Sequence, residues 1–321
     1  MFAVYAETFH PDDPLAGLVV GERPEPEPAP GWSRVKVTAA SVNHHDVWTL
    51  RGVGITADHL PMILGCDAAG TDEDGRPVLV YPVIADPSFE DESMDPHRSL
   101  LSEVHQGTFA DYVAVPTRNL LPLPETMTAA EASCLPTAWL TAYRMLAVRS
   151  GLKPGDTVLV QGAGGGVATA AIALGRVMGY RVWATSRDEA KRAAAVELGA
   201  HQAFPAGARL PERVDAVMET VGAATWDHSL KSLKPGGTIV ISGATSGTNP
   251  PADLARVFFK QLSIVGSTMG TRHELRRLID LCEVTGIRPV IAAEVPMTEA
   301  ATALQRVAAG DLFGKIVLTR P

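Results

Sequence analysis

The chain has 321 residues, of which 46% are hydrophobic and 20% are charged, the balance of an ordinary soluble globular protein. A single core stops growing at about 250–300 residues, so this length predicts two domains. The net charge of −8 comes without a basic stripe, which argues against nucleic acid and anionic membranes as partners.

The chain also lacks the sequence marks of membrane insertion and secretion. No apolar stretch reaches the roughly 20 residues of a membrane span. The N-terminus, Met1 to Ala6, has neither a positive region nor a cleavage site and is interpreted as a first strand. Three widely spaced cysteines, Cys66, Cys134 and Cys282, make no disulfide framework. These features predict a cytoplasmic protein.

The N-terminal part of the chain, up to about residue 130, is predicted to be β-rich, with Pro and Gly between short strands. After the first strand, further strands are predicted at residues 33–40, 78–81 and 110–115. Residues 22–30, rich in Pro and Glu, predict an extended connector. The acidic residues 86–102 predict a long surface loop.

From about Thr137 onward, strands and helices alternate. Such an alternation of short apolar strands with helices is typical of a parallel sheet that is buried on both faces. Ligands of such sheets bind at the carboxyl ends of the strands. The predicted strands are 157–161, 181–185, 214–219, 238–242 and 263–267, and the predicted helices are 138–150, 167–178 and 188–198.

In the C-terminal part of the chain, the predicted pattern of strands and helices changes again. Strands are predicted at 292–296 and 315–318, on either side of a helix at 298–309. We expect this tail to rejoin the β-rich N-terminal part, which would make the alternating region an inserted domain.

The most informative stretch is the glycine turn, residues 162–168, with the sequence Gly-Ala-Gly-Gly-Gly-Val-Ala. It follows the strand 157–161 and opens the helix 167–178. Residues without a Cβ atom allow the main chain to approach a pyrophosphate, and the helix N-terminus offers free N–H groups to the anion. The turn therefore predicts a dinucleotide-binding fold.

The end of the next strand indicates which dinucleotide binds. Sites selective for NAD place a carboxylate about 20 residues after the turn, on the ribose 2′-hydroxyl. This chain has Ser186 and Arg187 there, followed by Lys191 and Arg192 in the helix. Serine and arginine can hydrogen-bond a 2′-phosphate, so NADP(H) is predicted. In the alternative interpretation, Arg187 is a solvated surface residue and Asp188 acts as the carboxylate.

Several landmarks together resemble one family. They occur in the expected order at 39–46 (AASVNHHD), 64–70 (LGCDAAG), 107–113 (GTFADYV), 135–142 (LPTAWLTA), the glycine turn and 313–317 (FGKIV). The chain resembles the medium-chain dehydrogenases/reductases, on the side of the quinone oxidoreductases and their alcohol-dehydrogenase-like relatives.

The resemblance implies an α/β protein. A GroES-like β-rich catalytic domain, residues 1–137 plus 269–321, would carry an inserted Rossmann domain with a doubly wound parallel sheet, residues 138–268. It also implies a homodimer, which the edge strand 263–267 could form by pairing with its copy.

The resemblance implies a set of residues that contact the cofactor. They comprise the pyrophosphate turn, the adenosine phosphate site, two strand ends and a returning segment that would close over the nicotinamide. The residues are Gly162, Gly164, Gly165, Gly166, Val167, Ser186, Arg187, Lys191, Thr220, Val221, Ser242, Gly243, Ala244, Phe313 and Gly314. Lys315 could equally be a surface charge.

The chain departs from the family's zinc pattern. Zinc-dependent members hold the catalytic ion with Cys, His and Cys or Asp, and the corresponding positions here are Asn43, Cys66 and Thr137. Asn and Thr oxygens are poor zinc ligands. The structural zinc lobe should fall in residues 81–105, which contain no cysteine. We therefore predict no metal; the alternative is an unorthodox site made by Cys66 with His44, His45 and Asp46.

Without zinc, other groups must stabilise the charge that develops as hydride arrives. A quinone or an α,β-unsaturated carbonyl spreads that charge by conjugation, so hydrogen-bond donors suffice. The predicted catalytic residues are Asn43 as an orienting donor, His44 or His45 as a donor or proton relay, and Thr137. Trp48 stands where related quinone reductases have a Tyr, and Asp46 could be structural or catalytic.

The predicted function is therefore NADP(H)-dependent, zinc-independent hydride transfer to a small quinone or enone. One alternative is an alcohol dehydrogenase or aldehyde–ketone reductase, with or without metal. The other is a nucleotide-binding protein with little catalysis.

Overall fold

The structure, a computed structural model, describes residues 1–320. Its strands are β1 Phe2–Ala6, β2 Leu18–Glu22, β3 Trp32–Ser41, β4 Met62–Ile63, β5 Ala68–Thr71, β6 Pro77–Val80, β7 Val83–Ile84, β8 Ser99–Leu100, β9 Tyr112–Pro116, β10 Leu120–Pro122, β11 Thr157–Val160, β12 Arg181–Ser186, β13 Gln202–Pro205, β14 Val214–Glu219, β15 Leu233–Ile241, β16 Ser263–Gly266, β17 Ile291–Pro296 and β18 Lys315–Thr319.

The α-helices are α1 His44–Leu50, α2 Ala129–Ser133, α3 Leu140–Tyr143, α4 Gly166–Val177, α5 Glu189–Leu198, α6 Ala223–Ser232, α7 Leu254–Phe259, α8 Arg272–Thr285 and α9 Ala300–Ala309. Two π-helical turns, Leu135–Trp139 and Arg144–Arg149, flank α3. None of the helices within residues 1–320 has the length and apolar character that crossing a membrane requires.

The chain divides into two compact units. The first comprises residues 1–137, 270–284 and the segment from Ile291 onward, and the second comprises residues 138–269 and 285–290.

The first unit is built around β3, the longest strand. The sheet runs in the order β10-β6-β5-β3-β18-β17, and β9 also pairs with β3. Val35 and Val37 of β3 are buried while Lys36 between them is exposed, the alternation of a half-buried strand. The antiparallel pairing of β18 with β3 confirms that the tail returns to the N-terminal sheet. This pairing also brings Lys315, the first residue of β18, close to the end of β3.

The second unit is a six-stranded parallel sheet in the order β13-β12-β11-β14-β15-β16. The chain first winds outward from β11 in one direction and then, from β14, in the other. This is the Rossmann strand order, so the predicted doubly wound sheet is confirmed. The order reverses between β11 and β14, and the glycine turn follows β11, at this switch point.

The acidic segment 86–102 is largely exposed and irregular, as predicted for a surface loop, but it is not loop throughout. It contains a 3-10 turn, Glu92–Met94, and the strand β8, and its residues Glu92, Ser93 and Asp95 are buried. The side chain of Asp95 accepts backbone hydrogen bonds from Asp86 and His97, both of 2.8 Å. These local bonds satisfy both oxygens of the buried Asp95 carboxylate.

Candidate functional site

The glycine turn exposes bare main chain at the start of α4. Gly162 and Gly164 have φ angles of +73° and +147°, a backbone region that side chains other than glycine rarely adopt. A Cβ atom added at Gly165 would meet no atom of the described residues within 4 Å. Gly165 is the N-cap of α4 and has no side chain to cap it, so the first-turn N–H groups are free. This geometry fits a pyrophosphate.

The ends of β14 and β15 lie against this turn. A Cβ atom on Gly162 would come within 2.7 Å of Val221 Cγ2, and one on Gly243 within 3.2 Å of the Thr220 carbonyl oxygen. A Cβ atom on Gly222 would come within 2.9 Å of Ala244. The predicted contacts of these two strand ends therefore lie beside the glycine turn in the second unit, whereas Phe313 and Gly314 precede β18 in the first unit.

A buried polar network that the sequence interpretation missed holds these loops. The carboxylate of Glu219 accepts hydrogen bonds from the backbone of Val221 and Gly222, at 2.8 and 3.0 Å, and from Ser229 Oγ at 2.6 Å. Gln161 Oε1 accepts from Thr185 Oγ1 at 2.6 Å. These bonds tie together the ends of β11, β12 and β14. The charged residue Glu219 at the end of a mostly apolar strand is the sequence feature that could have indicated this network.

At the end of β12, Asp188 is engaged in capping a helix. Asp188 Oδ1 accepts the Lys191 backbone N–H at 3.1 Å and thereby caps α5. Ser186 Oγ accepts the Asp188 N–H at 3.2 Å. Arg192 Nη1 donates to the carbonyl oxygens of Ser186 and Arg187, at 2.9 and 3.2 Å, and so fixes this corner. The Arg187 side chain is exposed. Three cationic residues, Arg187, Lys191 and Arg192, therefore lie at or just after the end of β12.

In the first unit, Asp46 anchors the segment that carries the predicted catalytic residues. Its Oδ2 accepts the Asn43 N–H at 2.8 Å and its Oδ1 accepts the Gly65 N–H at 3.0 Å. Burial raises the pKa of Asp46 to about 6, against the opposing effects of His45 and of the Asn43 hydrogen bond. Of the two roles left open for Asp46, the geometry favours the structural one.

The predicted residues Asn43 and Thr137 meet at a buried carboxylate, Asp67. Asp67 Oδ2 accepts from Ser41 Oγ at 2.7 Å and from Asn43 Nδ2 at 2.8 Å, and its Oδ1 accepts from Thr137 Oγ1 at 2.5 Å. Lys315 Nζ donates to Asn43 Oδ1 at 2.5 Å. We call these five residues the Asp67 cluster.

Charge in the Asp67 cluster is compensated internally. Burial raises the pKa of Asp67, while Lys315 and the three hydrogen bonds oppose that rise. Lys315 is only 3% exposed and also donates to the Val42 carbonyl oxygen at 2.6 Å, so the interpretation of Lys315 as a surface charge is wrong. The Asn43 Nδ2 group also donates to the Ser41 carbonyl oxygen at 3.3 Å. The carboxamide of Asn43 is therefore directed at protein groups, and its use as a donor to substrate stays a prediction.

The two histidines differ in surroundings. Burial and the nearby Arg51 lower the pKa of His44, whose ring packs edge-on against Trp48 with centroids 5.2 Å apart. Burial also disfavours charge on His45, but its hydrogen bond to Glu103 and the nearby Asp46 outweigh that effect, so the pKa of His45 is raised. Glu103 lies 58 residues further along the chain, and no sequence pattern indicated it.

The residues at the family's zinc positions do not fit that ion. The side-chain oxygens of Asn43 and Thr137 are bonded to Lys315 and Asp67, and an ammonium group beside them repels a cation. Cys66 is the one strong donor of the three, and burial raises the pKa of its thiol well above its usual range. Three strong donors are required for catalytic zinc.

Family models match both units. The alcohol dehydrogenase GroES-like domain matches residues 29–125, and the zinc-binding dehydrogenase domain matches residues 166–284. Together with the relatives below, these matches show that the chain belongs to the medium-chain dehydrogenase/reductase superfamily, as its sequence landmarks predicted. It is an oxidoreductase of that superfamily.

Three relatives are similar over most of their length. A zinc-type alcohol dehydrogenase-like protein, YogA, of Leptosphaeria maculans is 29% identical, covering 92% of each chain. An acryloyl-coenzyme A reductase of Metallosphaera sedula is 29% identical, covering 94% of this chain and 96% of the relative. A quinone oxidoreductase of Homo sapiens is 26% identical, covering 88% of each chain.

Two solved structures are similar in fold and sequence. An NAD-dependent alcohol dehydrogenase superposes with a TM-score of 0.92 at 32% identity, covering 100% of both chains. The 2-octenoyl-CoA carboxylase reductase CinF, in complex with NADP and 2-octenoyl-CoA, has a TM-score of 0.90 at 26% identity, covering 99% of this chain and 87% of that one.

Removing the cation of the Asp67 cluster should destabilise the protein. In Lys315→Met, buried carboxylate charge loses its compensation, so the free energy of unfolding should fall by about 3–5 kcal/mol. Adding Asp67→Asn should recover part of that loss. Chemical denaturation followed by circular dichroism measures both effects, and the exposed Lys36→Met is the control. Equal stability of Lys315→Met and Lys36→Met would contradict the assignment.

Proposed function

We propose that the protein is an NADP(H)-dependent, zinc-independent oxidoreductase that transfers hydride to a quinone or to an α,β-unsaturated carbonyl compound. The second unit would hold the nucleotide and the first unit would carry the substrate chemistry, with domain limits at 1–137 plus 269–321 and 138–268. A nicotinamide cofactor is supported by the NADP complex and by the NAD-dependent enzyme among the structural relatives.

The Asp67 cluster is the observation that carries the zinc-independent part of this proposal. Asn43 and Thr137, at two of the three positions that hold the metal in zinc-dependent relatives, are engaged with a lysine and a carboxylate instead. A conjugated acceptor suits such a site, because conjugation spreads the developing negative charge. The names of two relatives, acryloyl-coenzyme A reductase and quinone oxidoreductase, support an acceptor of this kind.

For an enone, the reaction adds a hydride to the β-carbon and a proton to the α-carbon, so each turnover consumes one NADPH and one proton. His45 is the proposed proton donor rather than His44. The raised pKa of His45 keeps the imidazolium populated closer to neutral pH, whereas His44 favours the neutral form. Asn43 and Thr137 would act as positioning groups that hold the carboxylate of Asp67 in place.

A substrate and variant panel tests the reaction. NADPH oxidation should occur with quinones or enones and should persist after chelation has removed bound metal. His45→Gln should lower kcat by roughly 10²–10⁴-fold, the usual contribution of a general acid. His44→Gln, the neighbouring variant, should have a much smaller effect.

Three outcomes would overturn parts of this proposal. Alcohol oxidation that requires zinc would favour the alcohol dehydrogenase, an alternative that the 32% identical structural relative supports by name. NADPH binding without turnover on any acceptor would favour a non-catalytic protein. Equal turnover of His45→Gln and the wild type would remove the proton-donor assignment.

The cofactor preference follows from the end of β12. The strand end carries Ser186 where NAD-selective sites place a carboxylate, and Asp188 Oδ1 caps α5, while the exposed Arg187 is available for a 2′-phosphate. We expect NADPH to bind more tightly than NADH. Arg187→Ala should weaken NADPH binding about 10-fold or more, the value of a charge-assisted hydrogen bond, and leave NADH binding unchanged.

Isothermal titration with both cofactors measures this preference. Arg276→Ala, which removes an exposed arginine of α8, is the matched control. Equal or tighter binding of NADH by the wild-type protein would refute the preference.

A homodimer formed through β16 is also proposed. This edge strand of the parallel sheet has Ile264 43% exposed, and Phe258 and Phe259 of α7 are 61% and 79% exposed. An unpaired apolar edge favours association. Three cysteines, none of them in a disulfide, fit the cytoplasm as the proposed location.

Substitution of the edge strand tests the dimer. Ile264→Lys should convert a dimer into a monomer, because the charge would face the same edge of the second copy. Size-exclusion chromatography with light scattering measures the mass. Val284→Lys is the control, since Val284 is more exposed, at 86%, but lies on α8 in the other unit. A monomeric wild type would contradict the proposal.

A further inference from the structure

A second set of potential metal ligands lies beside the Asp67 cluster. His45 Nδ1 and Cys66 Sγ are 3.2 Å apart, and the ligand atoms of His45, Asp46 and Cys66 all lie within 4.8 Å of one another. Within residues 1–320, this is the one group of three such side chains close enough to share an ion. Two of its three members, His45 and Asp46, are not at positions that hold zinc in the family.

The surroundings of His45 match those of a metal-bound histidine. Its second nitrogen, Nε2, lies 3.1 Å from Glu103 Oε1. Ligating histidines usually donate their other N–H to a carboxylate, which fixes the ring and increases its basicity. Glu103 is itself held, because its Oε2 accepts the Leu100 N–H at 2.9 Å.

Asp46, the third potential ligand, is also held in place by hydrogen bonds. Each oxygen of Asp46 accepts one backbone N–H, from Asn43 and from Gly65, and each keeps a second lone pair for an ion. Hydrogen-bonded carboxylates are common among metal ligands. The side chains of His45 and Glu103 are 18% and 22% exposed, which leaves an approach from solvent.

The local charge favours a cation at this place. The carboxylates of Asp46, Asp67 and Glu103 all act on the Cys66 thiol, against the single opposing charge of Lys315. Thiolate, imidazole and carboxylate together suit Zn²⁺ and Co²⁺ rather than Mg²⁺ or Ca²⁺.

We propose that His45, Cys66 and Asp46, with Glu103 behind His45, form a binding site for one thiophilic divalent cation. The cation takes the thiolate sulfur, a ring nitrogen and a carboxylate oxygen, and the thiol proton leaves to solvent. The reduction proposed above does not use this ion. Because His45 is the proposed proton donor, an ion bound to it should inhibit turnover; this consequence rests on the proposed function, while the binding does not.

Titration of metal-free protein with Co²⁺ tests the site. We expect one equivalent to bind with a sulfur-to-cobalt charge-transfer band in the near ultraviolet. Cys66→Ser should abolish this band, and Glu103→Gln should weaken binding about 10–100-fold. Cys134→Ser and Cys282→Ser are the controls, because both remove buried thiols elsewhere and should keep the band.

X-ray absorption on the zinc-loaded wild type gives a test that needs no variant. It should report one sulfur among nitrogen and oxygen ligands. A first shell without sulfur, no charge-transfer band in the wild type, or a band that survives in Cys66→Ser would overturn the site. Metal binding that leaves turnover unchanged would uphold the site and refute the role of His45 in the reduction.

Discussion

The buried ammonium group of Lys315 is the constraint around which the first unit is arranged. A charge that is removed from water must be compensated by opposite charge and by hydrogen bonds. Lys315 meets this requirement with the Val42 carbonyl and the Asn43 side chain, across from the buried Asp67. The partners come from the end of β3 and from β18, more than 270 residues apart, so the pairing of these two strands assembles the site.

This arrangement explains how one fold can serve two chemistries. A zinc ion and a buried lysine both compensate negative charge, but only the ion has open coordination positions for substrate. In this chain the lysine is held by hydrogen bonds to protein groups. In the proposed reaction, stabilisation of the developing charge comes from conjugation in the substrate and from a proton donor, which is why we propose a quinone or an enone as the acceptor.

In the second unit, we propose that main-chain groups of the glycine turn bind a doubly charged anion. The glycine turn supplies free N–H groups, but a turn of this kind is flexible by itself. The network of Glu219, Gln161 and Ser229 ties it to the neighbouring strand ends. The anion site is thus held by buried polar side chains and by the register of the parallel strands.

The sequence by itself determined the parts that depend on local pattern. The alternation of strands and helices, the strand–turn–helix corner at Gly162 and the absence of a carboxylate at Ser186 can all be read along the chain, because they rest on spacing and on backbone freedom. The tertiary structure decided the rest. It buried Lys315, paired His45 with Glu103 and with Cys66, and buried Glu92 and Asp95 within the acidic segment. These outcomes depend on contacts between residues far apart in sequence, and whether a charge is buried or solvated follows from packing that no local pattern records.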